Sequence, residues 1–247
     1  MTSILISVLL GLVQGISEWL PISSSGHLAI IQNIFKINVG VEFDIALHFG
    51  TILAVVVFFW KDIVKIVTKE QKILVYIIVA SIPTAIIGFG LSLYINNIFS
   101  SFLIIGISFL ITGALIFISS LYFERGKLNI RNTFIAGIFQ GVAVIPGISR
   151  SGATISSLMF QGVERKQAAR FSFLLAIPAV IGANLIEIKS IVSLDYFNLI
   201  PGLLAAFIGG LVALFLLFNY MIESRWRWFA YYCWFLGLVV LILYFLI

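Results

Sequence analysis

The sequence predicts an all-α polytopic membrane protein, with six transmembrane helices plus two re-entrant helix-turn-helix hairpins arranged as an inverted-topology repeat. Three observations lead there. First, 62% of the 247 residues are apolar and 10% are charged, against roughly 45–50% and 25% in soluble domains. One core could not bury so many apolar side chains, so the chain must dissolve in a bilayer. Second, the basic residues gather in short clusters between apolar stretches. Third, two apolar regions are interrupted by similar polar turns. This composition excludes a soluble enzyme, a nucleic-acid binder and a secreted disulfide scaffold. The net charge of +5 reads as membrane topology rather than as an anion-binding face. Cys233 is the single cysteine, so no intrachain disulfide is expected. Residues 1–20 lack a basic leader and a cleavage signature, and are expected to remain in the mature protein.

The elements follow in order. Residues 4–35 are broken by Pro21, Ser23-Ser24-Ser25 and Gly26, and read as helix, polar turn, helix. Three spans follow, at roughly 41–60, 73–95 and 102–121. Residues 132–162 are broken by Pro146-Gly147 and Ser149-Arg150-Ser151-Gly152, and read the same way. Three more spans lie at roughly 171–188, 199–219 and 228–247. Each unbroken stretch approaches the ~20 residues a bilayer core requires. Non-helical backbone at membrane depth is tolerated only where protein buries it or a wet cavity meets it. The plainer alternative is a pair of ordinary spans joined by a surface loop. Residues 61–72 read as a solvated loop.

Charge placement tests the re-entrant reading. If both broken regions enter and leave on one side, twelve of the 15 Lys and Arg residues share a face. Lys36 and Lys189 fall on the other, and Arg150 lies in a turn. The rich face is cytoplasmic by the positive-inside rule, which puts both termini outside a plasma membrane. Trp60, Trp226 and Trp228 are expected as interfacial indoles, and Glu42, Asp44 and Glu187 as interfacial carboxylates.

The two broken regions resemble each other. At a constant offset of 126, Gly11, Gln14, Gly15, Ile22, Ser23, Ser25 and Gly26 match Gly137, Gln140, Gly141, Ile148, Ser149, Ser151 and Gly152. This predicts one membrane domain, 1–247, duplicated over approximately 1–121 and 132–247. Three spans lie between the copies, so the second is inverted. Such repeats place a site near the midplane, where broken helix ends converge. The copies differ where chemistry is expected: Glu18 faces Val144, Ser24 faces Arg150 and His27 faces Ala153.

An intramembrane charge such as Glu18 marks a functional site by default. Gln14, one turn earlier, shares its face. Two oxygen-bearing side chains so spaced suit a hard cation, Mg²⁺ or Ca²⁺; the alternative is that Glu18 merely neutralises Arg150. In the second turn Gly147 and Gly152 permit close backbone approach, and Ser149, Ser151 and the following amides make an anion cradle. Arg150 can grip phosphate oxygens with both arms, and Thr154 adds a hydroxyl. For the hydroxyls alone, capping and helix packing are the commoner roles. His27 follows the serine run, near Glu18 and Ser24, which suits acid–base or nucleophilic work. His48 carries a weaker signal toward the same vestibule.

Residues 14–27, Gln-Gly-Ile-Ser-Glu-Trp-Leu-Pro-Ile-Ser-Ser-Ser-Gly-His, resemble the first signature of the undecaprenyl-pyrophosphate phosphatases. Residues 146–154, Pro-Gly-Ile-Ser-Arg-Ser-Gly-Ala-Thr, resemble the second, and the span pattern agrees along the whole chain. The resemblance implies an integral-membrane phosphatase that recycles a polyprenyl carrier lipid for cell-wall synthesis, confers bacitracin tolerance and requires a divalent metal. Carried over, the acidic motif falls on Gln14 and Glu18, the serine and histidine on Ser24 and His27, and the phosphate-gripping arginine on Arg150. Gln14 departs from the pattern, since many members carry a second glutamate there; a neutral oxygen would weaken metal binding. Ser23, Ser25 and Gly26, with Gly147, Ser149, Ser151, Gly152 and Thr154, complete the expected substrate cradle. Either Ser24 or His27 could attack phosphorus. The expected partners are a polyprenyl diphosphate lipid, the bilayer and a second copy of the chain. A transporter or flippase of lipid phosphates is the rival reading, because inverted repeats are common there.

Overall fold

Both polar turns separate pairs of short helices. A computed structural model describes residues 3–92, 101–123, 126–186, 191, 195–223 and 225–246. Glu187 and Lys189, placed above from sequence, lie outside the described residues. Eleven α-helices occur among the described residues: α1 (Ile4–Trp19), α2 (Ser24–Ile34), α3 (Val41–Phe58), α4 (Trp60–Thr68), α5 (Gln71–Ser92), α6 (Phe102–Ser119), α7 (Ile130–Val142), α8 (Arg150–Phe160), α9 (Arg165–Ile186), α10 (Tyr196–Leu216) and α11 (Trp226–Leu246). A π-turn, Leu217–Met221, continues α10. Helices α5, α6, α9, α10 and α11 are each long and apolar enough to cross a membrane, and α3 with α4 makes a sixth candidate bent by 70°. The polarity is inverted relative to a soluble fold. Leu5, Phe235 and Phe245 point outward, 79%, 68% and 78% exposed, while Gln14, Thr112 and Gln140 are buried. The chain is an all-α polytopic membrane protein.

Three expectations need correction. Residues 61–72 are not a loop but the bulk of α4 and the start of α5, because Ile63, Ile66 and Val67 recur at helical spacing and give α4 an apolar side that faces α5 and α9 across a groove. Trp226 is 1% exposed rather than interfacial; its indole Nε1 donates to Ser119 Oγ at 3.1 Å, so the polar end is satisfied inside. Asp44 is buried as well, because the Gln32 amide donates to both carboxylate oxygens, at 2.8 and 2.9 Å. Trp60 and Trp228 are exposed as expected.

The polar clusters converge at one end of the bundle. Arg170 pairs with Asp62 at 2.5 Å, Gly126 N donates to Gly162 O at 2.7 Å, and Arg165 Nη1 donates to Glu223 O at 2.9 Å. The single-face grouping of basic residues therefore has a structural counterpart.

Small residues let α1 and α7 approach their neighbours. A Cβ added to Gly11 would lie 2.1 Å from Gly202 O, and one on Gly15 would lie 2.4 Å from Ala206 O, both on α10. The matched residues in α7 do the same against α5: a Cβ on Gly137 would lie 2.1 Å from Ala80 O, and one on Gly141 2.8 Å from the Ile87 Cβ. In lipid, helices associate through this kind of close packing rather than through hydrophobic exclusion of water. Gly11→Ala is therefore expected to lower stability by ~1–3 kcal/mol through overpacking. Gly182→Ala, whose Cβ meets nothing within 4 Å, should be neutral or gain up to ~1 kcal/mol. Thermal unfolding of both variants in detergent checks the contrast; equal shifts would refute it.

Candidate active site

The two turns form matching caps. Ser23 precedes α2 and its Oγ accepts from Gly26 N at 3.3 Å; Ser149 precedes α8 and its Oγ accepts from Gly152 N at 3.0 Å. Each cap hydroxyl also lies 3.3 Å from the serine hydroxyl two residues on, Ser25 or Ser151. Side-chain caps satisfy amides that would otherwise be orphaned at a helix start. The backbones differ, however. Ser23 adopts φ 65°, in the left-handed region, whereas Ser149 lies at φ −73°. A non-glycine residue held there stores roughly 1–3 kcal/mol of strain and is retained only where surroundings dictate it.

Those surroundings are the other turn. A Cβ on Gly26 would lie 3.1 Å from the Gly147 Cα and 2.6 Å from the Phe109 ring, so the tips touch. Gly147 itself sits at φ 90°, where only glycine is unstrained. Ser151 Oγ donates to Leu20 O at 3.2 Å, tying α8 to the first turn. Thr112 of α6 anchors the second turn: its Oγ1 donates to Gly147 O and accepts from Ser149 N, both at 3.1 Å.

Glu18, at the end of α1 and 6% exposed, is the hub. One carboxylate oxygen accepts from Arg150 Nη2. The other accepts from Ser24 Oγ and from Gln14 Nε2, the latter at 2.9 Å. His48 Nε2 lies 3.5 Å from that second oxygen, while its Nδ1 is 2.9 Å from Asp44 O. The Arg150 guanidinium also lies over the Trp19 ring, 5.5 Å from the centroid. Among the described residues, its other arm, Nη1, is buried with no hydrogen-bond partner, and so is Gln14 Oε1. An unpaired buried guanidinium nitrogen is costly in a protein.

The structure thus brings together Gln14, Glu18, Ser24 and Arg150, and adds His48. It does not bring His27 to them. His27 Nδ1 lies 2.7 Å from Ser23 O, and Nε2 lies 2.6 Å from Tyr232 Oη of α11. The Tyr232 ring stacks on the imidazole, and Phe109 meets it edge-on. Thr154 faces elsewhere too, bonded to Arg150 O at 2.8 Å and to Ser172 Oγ on α9. Tyr232, Thr112 and Trp19 were not singled out from sequence. Tyr232 is 205 positions from its partner, within a uniformly apolar span, and no local signal marks it.

A sequence model of the family described as "Bacitracin resistance protein BacA" matches residues 7–239. The chain belongs to this family. Its relatives include proteins named undecaprenyl-diphosphatase from Halothermothrix orenii, 40% identical over 96% of both chains, and from Methanosphaera stadtmanae, 40% identical over 98% of this chain and 99% of the other. A third, from Thermosipho africanus, is 41% identical over 92% of this chain and 94% of its own. Both hairpin tips of this BacA-family chain fall inside the matched region.

Breaking a buried ion pair on one side leaves an uncompensated charge, at a cost of roughly 3–5 kcal/mol. Arg150→Met should therefore destabilise the protein more than the double variant Glu18→Gln, Arg150→Met. Unfolding midpoints in one detergent decide this; a double variant no more stable than the single would show that the pair is not coupled.

Proposed function

We propose that this chain hydrolyses undecaprenyl diphosphate to the monophosphate and inorganic phosphate, recycling the carrier lipid for cell-wall synthesis and so supporting bacitracin resistance. The names of the relatives agree with this reading. The observation that carries it is the Arg150 fork, with one arm on Glu18 and the other buried and unpartnered among the described residues, while Ser24 bonds the other oxygen of the same carboxylate. Such a fork fits the terminal phosphate of a diphosphate, and the fixed donor offsets charge in a loose phosphoryl-transfer transition state.

Ser24 is the nucleophile in this proposal. Its hydroxyl proton already points at a carboxylate oxygen of Glu18, whereas both ring nitrogens of His27 are engaged. Ser24 Oγ forms a bond to the terminal phosphorus as the bridging P–O bond breaks, and the hydroxyl proton passes to Glu18. The polyprenyl monophosphate departs, and water then cleaves the phosphoserine to release inorganic phosphate. His27 holds the Ser23 carbonyl, and hence the strained turn that aims Ser24. Ser23, Ser25, Gly26, Ser149, Ser151 and Gly152 shape the cradle. Thr154, bonded to Ser172, supports α8 rather than touching substrate.

A divalent cation fits this set in company with substrate. Among the described residues no three His, Cys, Asp or Glu side chains gather to hold a metal alone. Glu18 and the unpartnered Gln14 Oε1 would hold it together with phosphate oxygens, the mode Mg²⁺ favours. When bound, it would neutralise charge on the diphosphate.

The proposal also places the protein in the plasma membrane, with two re-entrant hairpins in inverted repeats, the basic end cytoplasmic and the catalytic pocket opening outward.

Purified protein should release phosphate stoichiometrically from the lipid diphosphate, and Ser24→Ala should abolish release. Arg150→Lys should lose roughly ten- to a hundredfold in kcat/KM, because an ammonium cannot copy the two-armed grip. A lysine variant keeping more than about half the activity would make Arg150 a counter-ion rather than a bidentate clamp.

Asn38 and Lys69 are both exposed, at opposite ends of the proposed topology. In intact cells, Asn38→Cys should react with an impermeant thiol reagent and Lys69→Cys should not. The reverse pattern would invert the topology.

A further inference from the structure

At the basic end of the bundle, a pocket of about 440 Å³ opens between α6, α9 and α11, lined by Ser120, Arg165, Glu223, Trp226, Arg227, Trp228 and Tyr231. We propose that it takes the phosphate of an anionic phospholipid headgroup. Arg227 supplies the grip. Its Nε donates to Ser120 Oγ at 2.9 Å, and that hydroxyl donates to Phe117 O at 2.6 Å. The guanidinium plane is thereby held, and among the described residues no partner meets its two terminal nitrogens. A fork held by its Nε presents the bidentate edge that phosphate oxygens match. Arg165 adds positive charge beneath: its Nη1 is fixed on the Ile222 and Glu223 carbonyls at 3.3 and 2.9 Å, and its guanidinium lies 5.9 Å from the Trp226 centroid. Glu223, the one acidic side chain among the described lining residues, lies 3.5 Å from Lys166 Nζ in an exposed ion pair.

The walls point to a lipid rather than a free anion. Trp228 and Tyr231 flank the opening, 67% and 46% exposed, with rings at right angles. Aromatics of this kind sit at headgroup level. From Tyr231 an outward stripe continues along α11 through Phe235, Leu238 and Ile242, at 68%, 54% and 57% exposure. These positions follow at i+4, i+7 and i+11 and share one helix face. Acyl chains leaving a headgroup in the pocket would lie along that stripe. Basic pockets between helices at the cytoplasmic surface bind anionic headgroups in this manner.

The test uses the full chain in phosphatidylcholine vesicles carrying spin-labelled phosphatidylglycerol or spin-labelled phosphatidylcholine. The readout is the motionally restricted fraction of each label. The native protein should favour phosphatidylglycerol by on the order of fivefold, the weight of one interfacial arginine. Arg227→Gln should reduce that preference to near parity, while Arg131→Gln, an exposed basic residue elsewhere, should preserve it. Phosphate release should be unchanged in Arg227→Gln, which separates this site from the catalytic one. Unchanged preference in Arg227→Gln, or equal loss in Arg131→Gln, would overturn the proposal. Displacement of the restricted phosphatidylglycerol by millimolar inorganic phosphate would also overturn it, in favour of a free-anion site.

Discussion

A buried carboxylate and a largely buried guanidinium pair where the two hairpin tips meet, and the rest of the structure depends on that pair. Neither Glu18 nor Arg150 could be carried to this depth alone without a cost of several kcal/mol. Together they cancel, but only with their oxygens and nitrogens properly distributed. Glu18 divides its oxygens between Arg150 on one side and Ser24 with Gln14 on the other. The pair also joins α1 to α8 across 132 residues of chain. The interaction that makes the charges tolerable therefore also fixes the relative position of the two tips.

Breaking a helix where its ends are buried poses a second problem, since the free amides and carbonyls need partners within the protein. The turns answer it locally. Serines cap α2 and α8, Thr112 serves both a carbonyl and an amide of the second turn, and Ser151 reaches a carbonyl of the first. Behind the turns, Gly11, Gly15, Gly137 and Gly141 let their helices press against α10 and α5. The polar tips are thus braced by apolar close packing, and precision at the site comes from helices that cannot slide.

The same constraints separate two kinds of polar residue. Hydroxyls such as Thr154 and Ser172 satisfy each other and support the fold. Arg150 Nη1 and Gln14 Oε1 lie buried without partners among the described residues, beside a carboxylate that already holds both side chains. His27 belongs to the supporting group: its ring is clamped between the Ser23 carbonyl and the Tyr232 hydroxyl, with Phe109 against its edge. A histidine in the midst of a catalytic-looking signature is thus tied to the first turn and to α11 rather than to Glu18.

Composition alone determined that the chain lives in a membrane, and the broken hydropathy of residues 4–35 and 132–162 determined that two pairs of short helices would form. Glu18, Ser24 and Arg150 were legible because charge and hydroxyls inside an apolar run conflict with their surroundings, and that conflict is local. Other features were not. Residues 61–72 carry enough Lys to look like a loop, yet three apolar side chains on one side are enough for helix α4. Asp44 and Trp226 looked interfacial because sequence shows polarity but not the partner that satisfies it. The partnership of His27 with Tyr232, the approach of His48 to Glu18 and the unpartnered arm of Arg150 were decided by the tertiary structure. Each depends on distances between helices far apart in the chain, and hydropathy and motif spacing encode the depth of a residue, not its neighbours across the bundle.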